Sequence, residues 1–209
     1  MKPIPVAALL LLVAGPVTAQ SLRFGVQAVG ISHTEASEDL QYDGGGLAGF
    51  VGLRVGRFLI EGEGYAATLD PDEETGLTES FDLKQVDFRV SFFVTRGLAI
   101  QVGGSGRFVQ PESAAQDVGF IRIGVLSDNQ IARIARLWVR GAYLPAPEFS
   151  GGGTAGFAFE IGLGTWIGTS NGRYGIRLEY DFQRIDRQVN DVDVPIQLMV
   201  AKVGIEVGF

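Results

Sequence analysis

The sequence has 209 residues, of which 46% are hydrophobic and 30 are glycine; it contains no cysteine and carries a formal net charge of −7. This length favours one compact domain, and the lack of cysteine excludes a disulfide framework and any thiolate chemistry. The acidic balance argues against nucleic acid as a partner.

The first 19 residues have the order of a secretory signal. Lys2 supplies the positive charge, an apolar stretch covers residues 6–14, and Val17-Thr18-Ala19 provides the small residues of a cleavage site. We therefore predict a signal peptide over residues 1–19 and one exported domain over residues 20–209. No cysteine follows the predicted cut, and no later stretch has the about 20 apolar residues of a transmembrane helix.

After the predicted signal, apolar and polar residues alternate with a period of two, and clusters of Gly, Asn, Asp, Ser and Pro interrupt the alternation. We predict ten strands. They cover residues 22–33, 46–56, 58–68, 81–95, 97–109, 117–127, 131–144, 154–169, 172–185 and 195–209. Average soluble strands have about 5–6 residues, whereas a tilted strand needs about 9–11 to cross a membrane, so most of these runs are long enough to span one.

The links between the predicted strands differ in length. Short turns are predicted at 56–57, 95–97, 127–130 and 170–172, and the five other links are longer. Transmembrane barrels pair short periplasmic turns with longer outside loops. The pattern therefore predicts an all-β, antiparallel up-and-down barrel of about ten strands. Eight strands remain an alternative if two of the runs beside the link 110–116 belong to loops.

One parity of the strands is strongly apolar. Its members are Leu22, Phe24, Val26, Val51, Leu53, Val55, Val86, Phe88, Val90, Phe92, Val94, Phe157, Phe159, Ile161, Leu163, Ile176, Leu178 and Tyr180. Aromatic girdles are expected from Phe58, Phe92 and Phe209 at the turn side and from Tyr143, Tyr180 and Phe182 at the loop side. A soluble barrel would expose its charged face and bury this one, so the pattern predicts that the apolar face meets lipid.

The opposite parity is charged and is predicted to line the lumen. It comprises Arg54, Glu61, Glu63, Asp87, Arg89, Arg107, Arg122, Arg136, Arg140, Glu160, Arg177, Glu179, Asp181, Lys202 and Glu206. Acids and bases are nearly balanced, which predicts a salt-bridge network that neutralises itself and closes the lumen. Arg133 and Arg184 fall on the lipid parity, but both lie near strand ends, where the cost of a charge is small.

The last strand alternates down to a terminal aromatic residue through Val203, Ile205, Val207 and Phe209. This pattern resembles the C-terminal assembly signal of bacterial outer-membrane barrels, which implies recognition by the barrel-assembly machinery. By its overall pattern, the chain resembles the small OmpA/OmpX-like outer-membrane barrels without a periplasmic domain. The resemblance implies an outer-membrane location, contact with outer-membrane lipids, and structural, adhesive or protective roles.

No enzyme chemistry is predicted. A ten-stranded barrel resembles the omptin proteases in fold, but those enzymes rely on a histidine paired with Asp, Ser or Asn near the membrane rim. This chain has one histidine, His33, in the segment Ser32-His33-Thr34-Glu35, whose Ser and Glu are expected to be loop residues. No cofactor or metal is predicted, because the acidic segment 70–74 lacks the spacing of a calcium loop. The acidic residues of the first two loops are expected to be a solvated exterior that faces an unidentified extracellular ligand. They are Glu35, Glu38, Asp39, Asp43, Asp70, Asp72, Glu73, Glu74 and Glu79.

Three functional hypotheses follow. The first is a structural or surface-interaction barrel whose charged lumen is closed by salt bridges. The second is a narrow channel for small solutes or ions, and the third is a hydrolase at the outer rim that uses His33. The channel would be lined by Arg89, Arg107, Arg136, Arg140, Glu61, Glu63 and Glu179.

Overall fold

The computed structural model describes residues 20–35, 40–73, 78–112 and 116–209. The predicted signal peptide, as well as Glu38, Asp39 and Glu74 of the acidic loops, lie outside the described residues. The strands are β1 (Gln20–Glu35), β2 (Leu40–Val55), β3 (Phe58–Pro71), β4 (Phe81–Phe93), β5 (Leu98–Gln110), β6 (Val118–Ala132), β7 (Ala135–Tyr143), β8 (Glu148–Phe149), β9 (Thr154–Gly168), β10 (Tyr174–Val189) and β11 (Val192–Gly208).

Ten long strands close into one antiparallel barrel. Each long strand pairs with its neighbours in the chain, and β1 pairs with β11 to complete the circuit. The two-residue strand β8 lies outside this circuit and pairs with the start of β6, so β7 pairs directly with β9. The prediction of ten strands is confirmed, and the eight-stranded alternative is wrong. Among the described residues, no helix has the length and apolar character to cross a membrane.

The turn between β6 and β7 is not where the sequence pattern predicted it. Residues 127–130 remain in β6, where Ser127 pairs with Val139 and Gln130 pairs with Arg136, and the chain reverses at 133–134. Polar residues can continue this strand because it is close to the end of the barrel, where outward side chains leave the apolar belt. The predicted turns near 56–57, 95–97 and 170–172 do connect strands.

The link between β10 and β11 was predicted to be a long loop and is instead a two-residue turn. Asn190 and Asp191 have φ angles of 50° and 64°, and the strands run up to them on both sides. Paired positive φ values match the twist of a tight hairpin, and Asn and Asp tolerate them better than most residues. With 16 and 17 residues, β10 and β11 are longer than the about 9–11 residues that a membrane crossing needs. We name the end with the turns at 56–57, 94–97, 133–134 and 169–173 the periplasmic end, and the opposite one the outer end, because short turns are periplasmic in such barrels.

The outer surface carries an apolar belt. Most of the residues assigned to the apolar parity are exposed, and the others are half-buried. Aromatic pairs border the belt, with Phe58 against Phe92 at the periplasmic end and Tyr143 against Phe157 at the outer end. Arg133 lies at the β6–β7 turn. This surface has the composition expected of a wall in contact with lipid.

The lumen is filled in three layers. At the outer end lie two clusters of buried apolar side chains, one around Leu69, Phe81 and Leu83 and the other around Phe120 and Leu144. At the periplasmic end lies a third cluster, formed by Leu59, Phe93, Ala99, Leu126, Trp138 and Trp166. Charged side chains occupy the layer between them.

Candidate functional site

The charged layer of the lumen is the candidate functional site. Successive residues of a strand point to opposite faces, so one parity of every strand converges on the barrel axis. All the charged residues predicted to line the lumen, Arg54 through Glu206, are buried or half-buried. This burial contrasts with the exposure of their neighbours in the chain, which face outward.

Eight of these side chains form a closed ring of ion pairs in which bases and acids alternate. In order, the ring consists of Arg122, Asp87, Arg89, Glu63, Lys202, Asp181, Arg140 and Glu160. Because it contains equal numbers of bases and carboxylates, the ring has no net formal charge. It connects β3, β4, β6, β7, β9, β10 and β11, which lie on opposite sides of the barrel.

The ring is held by direct contacts. Arg122 lies 2.8 Å from Asp87, and Arg140 lies 2.6 Å from Asp181. Lys202 bridges two strands, because its ammonium donates to Glu63 and lies 2.9 Å from Asp181. Removal of one partner from a buried ion pair leaves an uncompensated charge and typically costs about 3–5 kcal/mol.

Asp87 is the most highly connected carboxylate of the ring. Besides Arg122, its oxygens accept from Arg89 at 3.3 Å, from Gln85 at 3.2 Å and from the Ser105 hydroxyl. Neutral donors therefore supplement the ion pairs, as a buried carboxylate requires if its lone pairs are to be satisfied.

A branch of the network runs from the ring toward the periplasmic end. Arg140 Nη2 lies 2.9 Å from Glu179 Oε1, and the other oxygen of Glu179 accepts from Arg177 Nε at 3.1 Å. Arg177 Nη1 then donates to Glu206 at 3.2 Å. The Arg177 guanidinium also lies 4.5 Å from the centre of the Trp138 ring, so the branch passes into the periplasmic apolar cluster.

Asp128 belongs to this branch and was not among the predicted lumen residues. The sequence pattern placed it in a turn, but it lies in β6 on the lumen parity, 3.6 Å from Arg136 Nε. Arg136 also lies 3.7 Å from Glu206, which joins Asp128 to the rest of the network. The polar run 127–130 concealed the strand continuation. The alternating positions of Leu126, Asp128 and Gln130 were the available signal.

Three predicted lumen residues have no ion pair with any described residue. Arg54 instead lies over the Phe93 ring at 4.0 Å from its centre. Arg107 donates to Gln85 at 3.0 Å and to Gln183. Glu61 lines a small cavity at the periplasmic side of the network. The glutamine partners of Arg107 were not predicted, because their amides carry no charge.

Glycines in the wall make room for the large side chains of the lumen. A Cβ at Gly164 would lie 2.2 Å from the Trp138 indole, and one at Gly162 would lie 2.7 Å from Arg140 Cγ. Both distances are far below van der Waals contact. The wall next to Trp138 and Arg140 is therefore compatible with glycine and not with a larger residue.

Little free volume remains in the charged layer. Two cavities of about 20 Å³ and 10 Å³ lie along the network, and each admits about one water molecule. In the part of the chain that the structure describes, carboxylate oxygens of Glu63, Glu179 and Asp181 lie within 4.8 Å of one another, as in a metal site. The Lys202 ammonium, which pairs with Glu63 and Asp181, supplies a cation there.

His33 does not have the surroundings of a catalytic base. It is 2% exposed and packs edge-on against Phe81 and Tyr42 in the outer apolar cluster. Its Nδ1 has no hydrogen-bond partner among the described residues. Ser32 follows the opposite parity of β1 and is directed away from the lumen, so the strand separates the two side chains.

No protein-family model and no curated protein sequence matches this chain. Solved structures do match. The chain is similar to the outer membrane protease OmpT from Escherichia coli, with a TM-score of 0.53 and 8% identity over 91% of this chain and 96% of that one. Neisserial surface protein A (NspA) and the attachment invasion locus protein Ail of Yersinia pestis align with TM-scores of 0.44, at 12% and 11% identity, over 92% of this chain and all of theirs.

The ten-strand circuit, the apolar outer surface and the fold shared with OmpT define a transmembrane-type antiparallel β-barrel, the fold of outer-membrane proteins such as OmpT. The predicted fold class is thereby confirmed, and the predicted outer-membrane location agrees with it. The predicted resemblance to the small OmpA/OmpX-like barrels holds for the architecture.

Proposed function

We propose that this protein is a non-conducting outer-membrane barrel with a structural or surface-interaction role, whose lumen is closed by the salt-bridge network. The observation that carries the proposal is the stacking of the neutral ion-pair ring between apolar layers at both ends of the lumen. A hydrated ion that crossed the barrel would have to displace buried apolar side chains and break ion pairs that join opposite walls. Both steps are costly in a site with little water.

The charge pattern also supports a closed lumen. A selective channel commonly presents charges of one sign along its path, whereas the ring alternates acids and bases. Neighbouring charges of opposite sign satisfy each other and leave little attraction for a passing ion. Arg89, Arg140, Glu63 and Glu179, which the channel hypothesis assigns to a pore lining, are all engaged in ion pairs.

Single-channel recording in planar bilayers tests this proposal. The mature chain, residues 20–209, is refolded, its heat-modifiable migration on a gel is checked, and the folded barrel is inserted. We expect no steady conductance steps at high salt. Salt-dependent steps from the folded barrel would overturn the proposal and favour the narrow channel, and the lumen arginines would then be the residues to neutralise.

The proposal includes no catalytic step. The burial of His33 among aromatic rings and the orientation of Ser32 support this. To test this, the hydrolysis of lipid and peptide substrates is measured for the wild type and for His33→Ala. Hydrolysis by the wild type that His33→Ala abolishes would contradict the proposal.

Surface interactions would be carried by the outer end, which is acidic. Asp43, Asp70, Asp82, Asp186 and Asp193 extend along the strands there, beyond the apolar belt. An acidic surface attracts cationic partners and repels anionic ones. We expect a basic peptide to bind the folded barrel with an affinity that falls as salt rises. An acidic peptide of equal length serves as the control, and equal binding of the two would contradict this assignment.

Assembly of the barrel would depend on the C-terminal strand. Val203, Ile205 and Val207 lie on the outward parity of β11, and Phe209 continues this parity one residue beyond the strand. Phe209 exchanges backbone hydrogen bonds with Leu22, at 2.9 Å and 3.1 Å, where β11 closes against β1. We propose that this outward face is recognised by the barrel-assembly machinery before closure.

The predicted signal peptide is tested by N-terminal sequencing of the exported protein, with Gln20 expected as the first residue.

A further inference from the structure

A pocket of about 620 Å³ opens at the periplasmic end of the barrel. It is formed where four parts of the chain meet: the start of β1, the β6–β7 turn, the β9–β10 turn and the end of β11. Its lining combines Arg23, Arg133, Arg136 and Arg173 with the indole of Trp166. The proposed structural role uses none of these arginines except Arg136.

Three of the four arginines have no ion-pair partner among the described residues. Arg23, Arg133 and Arg173 form no ion pair with any described carboxylate, and Arg136 has only the two long ones to Asp128 and Glu206. Arg23 lines the small interior cavity together with Glu61 and Asp128, so the positive charge that no ion pair offsets is concentrated at Arg133 and Arg173. Guanidinium groups are planar donors that suit the oxygens of phosphate.

One acidic side chain, that of Glu206, is among the lining residues of the same pocket. Glu206 is engaged by Arg177 at 3.2 Å and more distantly by Arg136. Its charge is therefore compensated within the network, and the excess of positive charge at the pocket persists.

Trp166 adds a second, independent feature. Its side chain is 8% exposed, and its indole nitrogen has no hydrogen-bond acceptor among the described residues. A buried indole N–H normally has a partner. The ring is accommodated by the wall, because a Cβ at Gly175 would lie 2.3 Å from the indole nitrogen and one at Gly168 would lie 2.2 Å from the ring. The indole therefore forms a packed inner wall of the pocket, and its nitrogen lies against the backbone at Gly175.

We propose that this pocket binds an anionic phosphate group at the periplasmic end of the barrel. The arginines neutralise the charge, and their guanidinium groups donate the hydrogen bonds to the phosphate oxygens. Leu22 and Phe209, which also line the pocket, lie on the apolar outer surface. The headgroup of a phospholipid in the periplasmic leaflet can therefore reach the pocket from the side, and a free phosphate can reach it from the periplasm.

Binding of two probes to the folded mature barrel distinguishes these sources. Native mass spectrometry in detergent counts bound phosphatidylglycerol, with zwitterionic phosphatidylcholine as the comparison of zero net charge. Calorimetry measures the binding of inorganic pyrophosphate. The test variant is the pair Arg23→Gln and Arg173→Gln. The control is the pair Arg57→Gln and Arg96→Gln, which removes two arginines from turns at the same end but outside the pocket.

We expect the test variant to bind the anionic probe about tenfold or more weakly, since each charge-assisted hydrogen bond contributes about that factor. The control should change affinity less than about twofold. Loss confined to phosphatidylglycerol supports a lipid headgroup as the ligand, and loss confined to pyrophosphate supports a soluble anion. Binding of neither probe by the wild type, or an equal loss in the control pair, would overturn the proposal.

Discussion

The replacement of Lys202 by methionine is the sharpest perturbation of the lumen network. Methionine keeps an unbranched side chain and removes the ammonium. Lys202 is 4% exposed, and its ammonium lies between Glu63 and Asp181. The oxygens of these two residues and of Glu179 lie within 4.8 Å of one another. The variant therefore leaves three grouped carboxylates without their central cation.

The expected loss follows from the geometry. A unit-charge pair at 2.9 Å contributes about 6 kcal/mol at an effective dielectric constant of about 20. The variant no longer has to bury an ammonium, which offsets part of this loss, but the carboxylates stay buried. Glu63 retains Arg89 at 2.9 Å and Asp181 retains Arg140 at 2.6 Å. We expect the free energy of unfolding to fall by about 3–5 kcal/mol, the usual cost of one broken buried pair.

Denaturant titration of the refolded barrel in lipid vesicles measures this loss. Tryptophan fluorescence is a suitable signal, because Trp138 and Trp166 are the two tryptophans of the chain and both lie in the periplasmic apolar cluster. The matched control is Arg184→Met, which breaks an ion pair to Asp186 of 2.8 Å whose side chains are 41% exposed. Its expected loss is below about 1 kcal/mol. If Lys202→Met costs no more than Arg184→Met, the ring does not stabilise the barrel as argued.

Three further predictions concern the wall, the closure and the outer hairpin. Gly164→Ala should lower the free energy of unfolding by about 1–3 kcal/mol, because its Cβ would overlap the Trp138 ring. The control in the same titration is Gly30→Ala, where a Cβ meets nothing within 4 Å. An equal effect at both positions would contradict the steric argument. Phe209→Ala should reduce the heat-modifiable fraction in cell envelopes more than Phe24→Ala does. Both remove the stacked ring pair at 5.9 Å, so an equal reduction would indicate lost packing and argue against recognition of the C-terminal strand. Asn190→Val should destabilise the β10–β11 hairpin by about 1–3 kcal/mol, because a β-branched residue is strained at a φ of 50°. Protease cleavage at the hairpin should therefore become faster. An unchanged cleavage rate would show that the turn tolerates valine.

The number of strands, and which side chains face lipid or the lumen, could be predicted because both follow from the local sequence pattern. The alternation along β4, for example, assigns Phe88 and Val90 to lipid and Asp87 and Arg89 to the lumen, and the structure gives the same assignment. The link between β10 and β11 could not be predicted from its length in sequence. Residues 186–194 lack a strong apolar alternation, yet they continue the strands, because backbone pairing extends beyond the belt once the register is fixed.

The sequence by itself determined the class of the protein, because a period of two with an apolar outward face is a property of each strand alone. It did not determine which charges meet. Arg122 and Asp87 are 35 positions apart, Lys202 and Glu63 are 139 apart, and their heights in the lumen depend on the register of every intervening pair and on the closure of β1 against β11. The tertiary structure also decided that apolar layers lie above and below the ring, since inward parity specifies a direction and not a depth. The phosphate pocket likewise exists only where turns distant in sequence meet at the barrel mouth.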